Sequence, residues 1–376
     1  MFAILHNNNP PPPGRREPCL TLQSYNDEDL TPPIKVYLPP TLTAHEFLTL
    51  FPTPEPNSPS SSKPPAFTFP ALHNWFAKLH SNCKLQHHDE SHPFYKHPYK
   101  LREIDVQAVD WFWRNRPGGQ EDKLGFMKIQ AKIETDEYLH DGEENARADW
   151  LPGAVFLRGG SVGVLIIVQP SDATGSQEKY VIMTIQPRIA ASSLAFTEIP
   201  AGMLDGNSFK GTAASEIEEE AGLKVKESDL VNLSELALSS SSPSSTSSSS
   251  SSNNPPASSS SPQSSLIEES TELAMHPSPG ACDEFIPLFL CQKRLTRRHM
   301  EWLKGKATGL RNEGENITLK LVPLERAWRE GARDGKTLAA LALYEGLVRE
   351  GRVEGMPGNV EREPEELGEV GSKKVE

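Results

Sequence analysis

Glu216, Glu219 and Glu220 are the side chains in this sequence whose types and spacing best suit joint chemistry. They lie in SEIEEEAGLK. In a helix, positions three and four apart share a face, so the three carboxylates converge while Ile217 and Ala221 point another way. Two unit charges about 5 Å apart repel by about 0.8 kcal/mol in water and about 3 kcal/mol at an effective dielectric near ~20, so such a face favours neutralisation by cations. Oxygen donors of this kind suit Mg²⁺ or Mn²⁺, which bind through a few carboxylates together with substrate phosphates. The plain alternative is a solvated helix face, which is what most glutamate runs are.

Around this helix, Glu198 to Lys224 reads as a strand entering a loop with Gly202, Gly206 and Gly211, then the acidic helix, with Gly222 where a helix would stop. A main domain is expected over 151–351. AVFLR, SVGVLIIVQ (161–169) and KYVIMTIQPR (179–188) read as its strands, two of them apolar throughout and so buried on both faces. Further strands are expected at 286–292 and 317–322, and helices in LERAWREGA and KTLAALALYEGLVREG. In the latter, Leu338, Leu341, Tyr344, Leu347 and Val348 form an apolar stripe. The mixture predicts an α/β fold, a sheet between helices in an α/β/α sandwich.

Residues 1–65 are proline-rich and read as largely disordered, although IKVYL (34–38) has strand character. Residues 66–150 read as a small α+β unit. HNWFAKLHSN has helical spacing, and LGFMKIQAKI (124–133) alternates apolar with polar as a strand with one wet face. Trp111, Phe112 and Trp113 read as core. Residues 239–265 are dominated by serine and cannot bury enough apolar surface to offset their ordering entropy, so a disordered insertion is expected there. The tail over 352–376 is acidic and expected to be loose.

A net charge of −13 argues against nucleic acid or an anionic membrane as partner, since both select basic patches. Four scattered cysteines make neither a disulfide framework nor a zinc motif and fit a reducing compartment. No apolar run is long enough to span a membrane. The opening residues lack the pattern of a cleaved leader, which makes the cytoplasm the expected location.

The order of glycine loop, helix and Glu-x-x-Glu-Glu-x-Gly-Leu resembles the signature box of the Nudix hydrolases. The flanking EIPAGML is similar to the branch that splits ADP-ribose and ADP-sugars. The resemblance covers roughly 124–351 apart from the serine tract. It implies an Mg²⁺- or Mn²⁺-dependent hydrolase that cuts a nucleoside diphosphate sugar to AMP and a sugar phosphate, working as a homodimer built through the N-terminal unit. Its metal ligands would be the Ala201 carbonyl, Glu216, Glu220 and an accessory Glu315. Glu219 would act in catalysis with Glu313, in the acidic loop GLRNEGENI, as general base. Arg188 in IQPR would hold substrate phosphate, and Pro279 in SPGACDE would mark an ADP-ribose-type substrate. Gly153 stands where the family has a substrate arginine, for which Arg158 can substitute. The box itself departs from the family. Ser215 replaces its arginine, Asn207 or Ser208 replaces its first glutamate, and the stretch between Gly202 and Ser215 is one residue short. Read without the resemblance, Glu313 and Glu315 are equally an exposed polar loop and Arg188 the partner of a surface acid.

Overall fold

The computed structural model describes residues 4–5, 19–50, 69–88, 90–114, 122–175, 177–204, 208–239, 269, 271–309 and 316–364. There are two compact units. The first comprises Met1–Gly159, Ser241–Thr271 and Ser278–Asp283; the second comprises Gly160–Ser240, Glu272–Pro277 and Glu284–Glu376.

In the first unit the described elements are β1 (Ile4–Leu5), β2 (Leu20–Tyr25), β3 (Glu28–Tyr37), α1 (Ala44–Thr49), α2 (Pro70–Leu85), β4 (Lys100–Trp113), β5 (Lys123–Glu134), β6 (Trp150–Leu151) and β7 (Ala154–Leu157). The strands form one sheet in the order β1-β2-β3-β4-β5-β6, with β7 also on β5. Along β5, Met127, Ile129 and Ala131 are buried while Lys128, Gln130 and Lys132 are exposed, the alternation that pins a strand with one covered face. From α2, Leu72 and Phe76 pack into the core formed with Leu20, Leu22, Ile104 and Ile129.

Two expectations are corrected here. Residues 19–50 are not a disordered lead: β2 and β3 are a hairpin in the sheet. Its two-residue turn, Asn26–Asp27, holds both residues at positive φ (50° and 63°), as the right-handed twist of a tight hairpin favours. The prolines of β3 hid its period of two. AVFLR does not open the second unit, because β7 pairs with β5 through Met127↔Leu157. The units divide at Gly159 and Gly160, not at 151.

In the second unit follow β8 (Ser161–Pro170), β9 (Tyr180–Arg188), β10 (Ser193–Glu198), β11 (Ala201–Met203), α3 (Phe209–Ala221), β12 (Leu230–Asn232), α4 (Leu233–Leu238), β13 (Leu288–Leu295), α5 (Arg297–Leu303), β14 (Ala307–Thr308), β15 (Ile317–Pro323), α6 (Leu324–Glu330) and α7 (Gly335–Arg349). The sheet runs β12-β13-β8-β9-β15-β14, with β10 on β9 and β11 on β8. Every residue of β8 is buried. Because successive side chains alternate faces, Val162, Val164, Ile166 and Val168 meet Ile217 and Ala221 of α3 with Met300 and Leu303 of α5 on one side. Leu165 and Ile167 share the other side with Leu233 of α4, Ala327 of α6 and Leu341, Tyr344 and Leu347 of α7. The unit is therefore an α/β/α sandwich.

The stripe of α7 is shifted from the expected one. Leu338 and Val348 are exposed, and Thr337 and Ala340 are buried with Leu341, Tyr344 and Leu347. The tail is not loose over 352–364. Arg294 Nε donates to the Pro357 carbonyl (2.8 Å) and the Glu361 N–H to the Arg294 carbonyl (2.8 Å), which lays this segment against β13. The serine-rich stretch 239–265, Ser239 apart, lies outside the described residues.

Candidate active site

The acidic helix α3 is defined by its ends. Ser208 caps it by accepting the Gly211 N–H (3.0 Å), and Gly222 closes it in the left-handed conformation (φ 67°). A position where the family resemblance calls for a glutamate is thus spent on the cap. Ala213, Ile217 and Ala221 bury one stripe, which fixes the helix rotation and brings Glu216 and Glu220 to β11.

Both carboxylates rest on the backbone of β11. Glu220 is 5% exposed, and its Oε2 accepts the Ala201 N–H (3.2 Å) while its Oε1 accepts the Gln186 side-chain amide (3.4 Å). Glu216 lies against Gly202, where a Cβ would meet its carboxylate and turn it aside. Glu219, on the same helix, is exposed. Burial, then the neighbouring Glu216 and Glu198 charges, push the Glu220 carboxyl up to about 8; the Ala201 N–H and Arg188 oppose the shift without cancelling it.

Arg188, at the end of β9, gives its Nε to Glu198 Oε1 at 2.6 Å. Burial works against its charge, but Glu198, Glu220 and Asp334 hold its pKa above the usual arginine value. Its partner is a buried acid, not a surface one: Glu198 is 2% exposed and is also bonded by Lys336 Nζ through Oε2. Sequence reasoning passed over Gln186, Glu198, Asp334 and Lys336. For Gln186 a signal existed, since it stands two residues before Arg188 in β9 and so on the same face. For Lys336 the signal was a cation in the first turn of a helix, where the macrodipole disfavours it.

Glu313 and Glu315 lie outside the described residues. The ends of their loop are placed, because β14 and β15 pair through Thr308↔Ile317 and the Thr308 hydroxyl donates to the Glu220 carbonyl at 2.6 Å. Thr308, two residues before the loop, is thus tied to the last turn of α3. Arg158 and Pro279 belong to the first unit. Arg158 is half-buried with its backbone N–H on Asp283 Oδ1 (2.8 Å), and Pro279 is exposed. At Gly153 a Cβ would overlap the Ala131 carbonyl, which explains why no arginine stands there.

For a divalent cation the fit is in the donor chemistry: two carboxylates side by side, one of them held at an abnormally high pKa by its burial and then by its acidic neighbours, against a glycine that leaves room for them. Among the described residues no three His, Cys, Asp or Glu side chains are close enough together to hold an ion. A full ligand set therefore needs backbone oxygen or the 310–315 loop as well. No helix of the described residues is long and apolar enough to cross a membrane.

No protein-family model matches the chain. Among curated proteins it is similar to Nudix hydrolase 14, chloroplastic, of Arabidopsis thaliana, at 34% identity over 255 residues. The match takes in 67% of this chain and spans 65% of that relative's length. A solved structure, described as the crystal structure of ADP compounds hydrolase, matches at 16% identity and a TM-score of 0.31 over 68% of this chain and 99% of its own, a superposition too loose to carry an argument. The sequence likeness is thus to a protein named a Nudix hydrolase, over about two thirds of this chain, and singles out no branch.

Proposed function

We propose that this chain hydrolyses the pyrophosphate bond of an ADP-sugar or of ADP-ribose, giving AMP and the sugar phosphate, with Mg²⁺ or Mn²⁺ as cofactor. The observation that carries this reading is the placement of Glu216 and Glu220 on the Ala201–Gly202 backbone beside Arg188. Glu216, Glu220 and the Ala201 carbonyl are the proposed cation ligands, with Glu315 as a further one. The cation, when bound, acidifies the attacking water and neutralises charge on the phosphoryl oxygens. Glu313 takes the water's proton, and Glu219 assists from the same helix. Arg188, held by its Nε, offers its terminal nitrogens to a phosphate, a geometry that suits guanidinium. The first unit makes the homodimer. The relative's name places that protein in the chloroplast, so plastid and cytoplasm are both compartments to test for this chain.

A second reading, a nucleotide-binding module that does not cleave, is favoured by Ser215, an exposed serine where the resemblance calls for an arginine. Incubation of the purified protein and Mg²⁺ with ADP-ribose, ADP-glucose, UDP-glucose and GDP-mannose separates the two. AMP release from the adenosine compounds is expected; binding without release of any nucleoside monophosphate would establish the module instead.

A further inference from the structure

We propose that Lys336 and Asp334, at the start of α7, are positioning residues that act through Glu198 to hold Arg188 by its Nε and leave its terminal nitrogens for an anion. This rests on the reading of Arg188 as the phosphate-binding arginine. Four charges alternate in sign along one chain of contacts. Arg188 Nε donates to Glu198 Oε1 (2.6 Å), Lys336 Nζ to Glu198 Oε2, and Lys336 Nζ to Asp334 Oδ1 (3.0 Å). Glu198 is 2% exposed and Lys336 9%, and side chains of these types are rarely so buried unless paired.

The place of Lys336 is unfavourable for α7 by itself. A cation in the first turn opposes the helix dipole, and Asp334 is already engaged as the cap, its Oδ2 accepting the Thr337 N–H (3.1 Å) and hydroxyl (2.5 Å). Its partner Glu198 gives the position its reason. The same turn also grips the next residue of the chain, since the Ile199 N–H donates to Thr337 Oγ1 at 3.1 Å. One helix turn thus fixes both the side chain of Glu198 and the backbone after it, two residues before the Ala201 N–H that meets Glu220. Arg188 itself is 41% exposed along its side chain, so without a rigid acceptor its Nε would exchange partners with water. The second cation on Glu198 holds that acceptor stationary. A network that served only to anchor α7 would not act on Arg188.

The test uses the full chain labelled with ¹⁵N-arginine. The Arg188 Nε–H signal, identified by its loss in Arg188→Lys, is expected to exchange slowly with water. Lys336→Met is expected to speed that exchange roughly tenfold, as loss of a charge-assisted hydrogen bond implies, and Lys336→Arg to restore it. Glu198→Gln, which keeps the shape, serves as the second variant where Lys336→Met fails to fold. Unchanged exchange in the folded variants overturns the proposal whatever the protein hydrolyses. In kinetics with ADP-ribose, Lys336→Met is expected to raise KM about tenfold with kcat nearly retained, and to add less than about twofold in an Arg188→Ala background. Equal effects in both backgrounds overturn it too. Slow exchange lost in Lys336→Met, in a protein that cleaves none of the four nucleotides, upholds the positioning and defeats the function.

Discussion

Glu220 is a carboxyl buried beside two others, and its folded-state pKa of about 8 makes its protonation a stability term. Because the folded value lies above that of an unfolded glutamate, the folded state holds the proton longer. The group's contribution is complete below about pH 4.5 and is lost as pH rises through about 8, a change of a few kcal/mol. The metal-free protein is therefore expected to melt at progressively lower temperature between pH 5 and pH 8.5. Glu220→Gln should flatten that fall, because a neutral amide has nothing to titrate. Added Mg²⁺ should flatten it in the unsubstituted protein and release a proton on binding. Turnover of Glu220→Gln should drop on the order of a hundredfold or more, the scale of losing a group aimed at transition-state charge. Identical pH slopes for the two proteins would remove Glu220 as the titrating group. The pairing of Glu216 with Glu220 was legible because it follows from a local spacing of four. The pairing of Glu198 with Lys336 was not, since it joins residues 138 apart and depends on how α7 meets the end of β10.

At the scale of elements, α3 is tied at both ends by single hydrogen bonds of different consequence. Ser208 secures its start, whereas Thr308 secures its last turn to the pair β14–β15, between which the segment that carries Glu313 runs. Ser208→Ala and Thr308→Val should each cost about 1 kcal/mol of stability. Only Thr308→Val should also lower kcat, because only it frees the loop's anchor. Equal kcat values in the two variants, measured well below melting, would show that the loop is positioned without α3. Strand type and place were readable where burial imposed a pattern, as in the unbroken apolar run of β8 and the alternation of β5. They were obscured where prolines interrupt the period in β3, and where β7 chose its partner by sheet pairing that no local pattern encodes.

For the molecule as a whole, the second unit assembles its sheet across the serine-rich segment. β12 and α4 lie before it and β13 after it, yet β12 and β13 pair through Val231↔Leu290, and α4's Ser234 hydroxyl accepts the Leu288 N–H at 3.0 Å. Folding therefore closes a loop over the segment whatever the segment does. Replacing residues 240–268 with a Gly/Ser linker of about eight residues shortens roughly thirty residues of loop and lowers the closure entropy by about 1 kcal/mol. Gln186, Ala201 and Gly202, which meet Glu220 and Glu216, and Glu198, which meets Arg188, come from β9, β10 and β11. The shortened protein should then melt a few degrees higher, about 2–4 °C for a unit of this size, with kcat and KM for ADP-ribose unchanged. A collapse of turnover at undiminished stability would show instead that the segment takes part in binding or catalysis, and a fall in melting temperature that it contributes contacts worth more than the entropy of closing its loop.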